Sequence, residues 1–182
     1  MLSEFISKLE RDFPFFNQKS LTRKDLTSWA SSLGIYTVKD RDVKTALSFI
    51  TLKGNKVILY NPEIHPDNLI LSLGHELGHW LLGHVEYGEV LFNPSAYFST
   101  SGLEKDAGVI GFLCWFPTWR LEEIYQQRGY LELQELAWEY HNCDSEWDLL
   151  LKLFHARCRI FRAWKRTISR PYKYVAREIW PS

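Results

Sequence analysis

Asp67-Asn68-Leu69-Ile70-Leu71-Ser72-Leu73-Gly74-His75-Glu76-Leu77-Gly78-His79-Trp80-Leu81-Leu82-Gly83 is the stretch that decides how this chain folds. Asp67 is a good helix cap, Leu69, Ile70, Leu73, Leu77, Trp80 and Leu81 recur at helical spacing, and Gly83 is a stop signal, so a helix is predicted over 67–83. On that helix His75 and His79 are turned apart by only about 40° and lie about 6 Å apart along the axis, so both imidazoles can grip one zinc ion. Glu76 stands on the same turn, where its carboxylate can take a proton from a water that the metal has acidified to a pKa of about 7. A chain of this composition would produce the H-E-x-x-H spacing by accident only about 0.015 times, which makes two ordinary histidines and a solvated glutamate the weaker reading.

Zinc needs a further protein ligand. His84 is near, but a metzincin pattern would require glycine where Leu82 stands and histidine where Val85 stands, so the spacing fails by one residue. His84 follows Gly83 and reads as a loop or cleft residue past the helix end. The better candidates lie in Gly102-Leu103-Glu104-Lys105-Asp106-Ala107, at the mouth of an apolar helix predicted over 103–116 and closed by Pro117. Two residues apart, Glu104 and Asp106 are turned by about 200°, so only one can face the metal, and the longer glutamate is favoured. Ser101-x-x-Glu104 is also a capping box, in which Glu104 would merely satisfy a backbone N–H.

Ahead of the metal helix, Leu2, Phe5, Ile6 and Leu9 form one apolar stripe that stops before Pro14, and Leu26, Trp29, Ala30 and Leu33 form another between Thr22 and Gly34. Ile35–Val38, Ala46–Leu52 and Val57–Tyr60, with Lys53-Gly54-Asn55-Lys56 as a turn, read as a small antiparallel sheet. After a loop over about 86–101, further helices are predicted over 119–128, 131–141 and 145–168. The fold class expected is α+β, a small antiparallel sheet packed on helices with a helical carboxy-terminal half. The 182 residues suit a single domain with a basic tail from about residue 160.

Composition narrows the function classes. The chain is 46% hydrophobic and 24% charged, which excludes a disordered or low-complexity polymer. The longest apolar run, Val109–Phe116, is far short of the roughly 20 residues that span a bilayer, so no membrane partner is expected. Glu4, Glu10 and Asp12 interrupt the amino terminus before any signal core, and Cys114, Cys143 and Cys158 fit neither a disulfide framework nor a zinc ribbon, so a cytoplasmic location is expected. From Lys152 onward basic residues dominate a chain of zero formal charge, leaving the body with about eight excess negative charges. Such a tail either docks on the acidic body, with Trp164, Tyr172, Tyr174 and Trp180 as anchors, or waits for an anionic partner. Leu136-Ala137, His141 and Trp147 have the spacing of a helix-turn-helix, but Asp144, Glu146 and Asp148 would oppose DNA phosphates, which disfavours a nucleic-acid partner.

The Gly74–His79 motif, the hairpin before it, and Glu104-x-x-Ala107 running through Ile110 and Leu113 to Pro117 resemble the ImmA/IrrE-type zinc metallopeptidases of bacteria and their mobile elements. The likeness covers about 21–160. It implies a small thermolysin-like zincin with His75, His79 and Glu104 as zinc ligands and Glu76 as catalytic base. Departures from the family's E-x-E-A-N-x-F-A-x-x-L-L-M-P pattern include Asp106 in place of the second glutamate, Gly108 in place of the asparagine or aspartate, and Trp115-Phe116 in place of the L-M before the proline. The change at Gly108 removes a side chain that would hydrogen-bond beside the metal, which points to weaker affinity. The resemblance also implies a protein substrate, a helix-turn-helix repressor, and hence a part in transcription regulation. The peptide would lie along an edge strand of the sheet. His84, Tyr87 and Tyr97 are the candidates for stabilising the oxyanion. Two other classes stay open: a regulator that keeps the metal site but inactivates a repressor by binding alone, and a DNA-binding regulator.

Overall fold

The computed structural model describes residues 2–85, 102–140, 151 and 154–158. The chain divides into two compact units, Met1–Pro117 and Thr118–Ser182. The fold is α+β. In the first unit the order is α1 (Leu2–Asp12), α2 (Arg23–Ser32), β1 (Ile35–Lys39), β2 (Ala46–Ile50), β3 (Lys56–Tyr60), α3 (Pro66–Leu82) and α4 (Gly102–Trp115). Among the described residues no helix is long and apolar enough to cross a membrane.

Local chemistry accounts for these elements. α2 opens with a capping box in which the Asp25 N–H donates to Thr22 Oγ1 (3.2 Å) while Asp25 Oδ2 accepts from the Thr22 N–H (2.8 Å). Its Trp29 is buried and collects Phe13, Phe15 and Phe16 at ring-centroid distances of 4.8, 5.5 and 5.6 Å, which fastens the end of α1 to α2. β2 and β3 form a hairpin whose turn is closed by Gly54 N–H to the Thr51 carbonyl (2.8 Å), with Gly54 at a left-handed φ of 80°.

The sheet corrects the expectation of an all-antiparallel arrangement. Its order is β1-β3-β2; β2 pairs antiparallel with β3, with Ser48 opposite Ile58, but β1 runs parallel to β3, with Thr37 opposite Ile58. Val57 and Ile58 are consecutive and both buried, so β3 hides both faces and takes the centre, as strands apolar on both sides do. β1 is left at an edge, with Tyr36 and Val38 exposed. The 40–45 link carries the chain past the end of β3 and is tied there by Asp40 N–H to the Tyr60 carbonyl (2.9 Å) and Asn61 N–H to the Thr45 carbonyl (2.8 Å).

Under the sheet lie two helices buried on nearly every side. Every residue from Leu69 to His79 in α3 and from Ala107 to Trp115 in α4 is buried. The two backbones approach as closely as side chains allow. A Cβ on Gly74 would stand 3.0 Å from Cys114 Cβ, one on Gly78 2.9 Å from the Ala107 carbonyl oxygen, and one on Gly111 2.8 Å from the Leu71 carbonyl oxygen. Three glycines therefore set the spacing of the pair. The Leu21 N–H also donates to the Cys114 carbonyl (2.8 Å), anchoring the approach to α2 on α4.

The second unit contains α5 (Thr118–Arg128) and α6 (Leu133–Tyr140), joined through Gly129 at a left-handed φ of 77°. Leu121, Ile124, Leu136, Ala137 and Phe154 are buried, and Arg128 bonds Glu139 at 2.7 Å. Residues 151 and 154–158 are helical. The rest of the helix expected over 145–168, the would-be recognition residues His141, Asp144, Glu146, Trp147 and Asp148, and the basic tail lie outside the described residues.

Candidate metal centre

α3 begins at Pro66, with His65 Nδ1 accepting the Asp67 N–H at 3.3 Å, and ends where Gly83 turns left-handed at φ 72°. Four residues apart on this helix, His75 and His79 are 0% and 1% exposed. Their rings meet edge to face, interplanar angle 80°, and turn both Nε2 atoms to one point, 2.9 Å apart. Because the glycines let α4 approach, Glu104 in its first turn reaches the same point. Oε2 lies 3.1 Å from His75 Nε2 and Oε1 3.5 Å from His79 Nε2.

These separations can be set beside those of a metal site. Tetrahedral zinc with N and O ligands at about 2.0–2.1 Å places neighbouring donors roughly 3.3 Å apart. The three observed separations, 2.9, 3.1 and 3.5 Å, straddle that edge. Two nitrogens of neutral imidazoles and an ionised carboxylate converging on one point are electron-pair donors that a single cation can engage together. One cation satisfies all three. His75, His79 and Glu104 thus form a two-histidine, one-carboxylate group within metal-binding distance.

The electrostatics suit the same use. Burial, followed by the neighbouring His75, lowers the proton affinity of His79, so its ring stays neutral at neutral pH, as a ligand must. Hydrogen bonding to His75 holds the Glu104 carboxyl below its usual range, so it is ionised. Asp106, its competitor for the metal, does not join the donors; it is half-exposed and acts electrostatically on His84. Ser101, the cap in the other role for Glu104, lies outside the described residues.

Glu76 is placed differently from the three donors. It is fully buried, and its carboxyl lies beside Ser48 of β2, itself 0% exposed. Burial pushes its pKa up to about 8; the Glu104 charge adds to the rise and Ser48 restrains it. Neither carboxylate oxygen meets a partner at bonding geometry among the described residues, so Ser48 is a polar neighbour short of a formed hydrogen bond. An uncompensated acid this deep is costly, and such groups concentrate where chemistry is done.

The sequence reading missed Ser48, and it named His84 as a cleft residue and oxyanion candidate without its contact to His79. Ser48 stands in an otherwise apolar strand, and its proximity to Glu76 depends on strand register. His84 lies past the helix end, yet its Nδ1 sits 3.3 Å from His79 Nδ1. The helix stop at Gly83 was the available signal, since a residue just after a left-handed cap folds back over the last turn. Tyr87 and Tyr97 lie outside the described residues. No family model matches the chain, and neither a curated protein nor a solved structure does.

Proposed function

We propose that the chain is a zinc-dependent metallo-endopeptidase that hydrolyses a peptide bond of a cytoplasmic protein. The observation that carries this reading is the convergence of His75 Nε2, His79 Nε2 and the Glu104 carboxylate on one point, with the orphaned, buried carboxyl of Glu76 next to it in sequence. His75, His79 and Glu104 would hold the ion. Bound zinc supplies Lewis acidity, which polarises a peptide carbonyl and acidifies water. Glu76 accepts the proton of the attacking water on a carboxylate oxygen and passes it to the leaving amine. Burial raises its proton affinity above that of an exposed carboxylate, which suits it to holding the transferred proton.

The likeness to ImmA/IrrE-type enzymes supports a helix-turn-helix repressor as substrate, and the exposed edge strand β1 is a place where an extended peptide can add to the sheet. The test is Glu76→Gln, which keeps size and shape but cannot accept the proton. Cleavage of a co-expressed repressor should fall by about two to four orders of magnitude with zinc content unchanged. A regulator acting by binding alone would release the repressor's target gene equally well in both forms.

A further inference from the structure

A histidine that gives one ring nitrogen to a metal leaves the other to fix its orientation and tautomer, and that second contact matters nearly as much as the first. His79 turns Nε2 to the donor cluster and Nδ1 to His84 Nδ1, 3.3 Å away. We infer that His84 is a positioning residue for His79: its Nδ1 accepts the His79 Nδ1–H, which holds the Nε2 lone pair toward His75 and Glu104. This rests on the metal reading above.

Three features carry the inference. A neutral imidazole has one N–H, and on Nε2 that proton would point into the donor cluster and block a cation; an acceptor at Nδ1 draws it to the far side of the ring. His84 is also fixed in place. The Gly83 turn lets the His84 N–H donate to the His79 carbonyl at 2.8 Å, so residue 84 grips residue 79 by backbone and ring together. The rings approach edge to face, at 5.4 Å between centroids and 65° between planes, a geometry that directs nitrogen toward nitrogen. Among the described residues no other group bonds His79 Nδ1, and the facing turn of α4 offers Ala107 and Gly108, which have no polar side chain.

The experiment compares zinc affinity, by chelator competition, in the full-length wild type, His84→Leu and His84→Asn. Asparagine places an acceptor oxygen near the former Nδ1, whereas leucine fills the space without one. We expect His84→Leu to bind zinc about 10–100-fold more weakly and His84→Asn to stay close to wild type. In NMR spectra of the zinc-loaded protein the His79 Nδ1–H should exchange slowly in wild type and His84→Asn, and rapidly in His84→Leu. The inference is overturned if His84→Leu keeps both the affinity and the protected proton, or if the two variants weaken alike. A wild-type protein that takes no zinc at all would remove the metal reading and this inference with it; a wild type that binds zinc beside an unaffected His84→Leu removes the positioning role alone. Circular dichroism of the zinc-free variants checks that each is folded.

Discussion

Gly78→Ala separates two expectations of opposite sign. In an open helix the change should stabilise by about 1 kcal/mol, because alanine has the highest helix propensity and glycine one of the lowest. In α3 the new Cβ would stand 2.9 Å from the Ala107 carbonyl oxygen, 3.0 Å from Ala107 Cα and 3.2 Å from Ile110 Cβ. The two nearest atoms are backbone, so no side chain can swing away and the helices must part by a few tenths of an ångström. Overpacking of this kind costs about 1–3 kcal/mol, which outweighs the propensity gain and leaves a net loss of about 1 kcal/mol, up to about 2. Glu104 rides on α4 and the histidines on α3, so the same displacement opens the donor triangle. Metal–ligand distances tolerate only about 0.2 Å, and zinc affinity should fall about tenfold or more. Gly102→Ala is the control, since nothing lies within 4 Å of its Cβ. Urea unfolding of the zinc-free proteins and chelator competition read both effects. A Gly78→Ala protein more stable than wild type by about 1 kcal/mol, with unchanged zinc affinity, would refute the close-packing account.

Glu76 gives the zinc-free protein a pH dependence: with its folded-state pKa near 8 against an ordinary value of 4.5, the unfolded chain loses this proton first, so stability should decline as pH rises between those values. Glu76→Gln should flatten that decline, which has a limiting slope of about 1.4 kcal/mol per pH unit; identical slopes would show that Glu76 is not held in an apolar setting. Cys114 is wholly buried against Gly74, and burial pushes its thiol far up, so it should resist alkylation in the native protein and react only after denaturant is added, as peptide mapping would show. Trp29 joins the aromatic cluster at the end of α1, and Trp29→Ala should cost about 3–5 kcal/mol in urea unfolding.

What the sequence could disclose depended on how local the cause was. The i,i+4 placement of His75 and His79 and the apolar face around them are properties of a single helix, so spacing alone sets the two rings on one side. Glu104 was legible because a carboxylate opens an otherwise apolar run that has to pack somewhere central. Strand direction was not: β1 and β2 are neighbours in the chain, and only the double-sided burial of Val57 and Ile58 draws β3 between them and makes β1 parallel to it. Ser48 and Gly111 belong to the site through contacts across elements, which no local pattern encodes. His84 lay between the two cases, since the cap at Gly83 was readable but the path of the chain beyond it was not.

The most direct measurement is zinc stoichiometry by elemental analysis, on protein purified without chelator, offered zinc and desalted, for the wild type beside His79→Ala, Glu104→Ala and Asp106→Ala. One zinc per chain is expected in the wild type and in Asp106→Ala, a nearly empty site in His79→Ala, and severely weakened retention in Glu104→Ala. A wild-type protein that remains metal-free would contradict the metal reading, and zinc retained by Glu104→Ala but lost from Asp106→Ala would assign the third ligand to the wrong carboxylate.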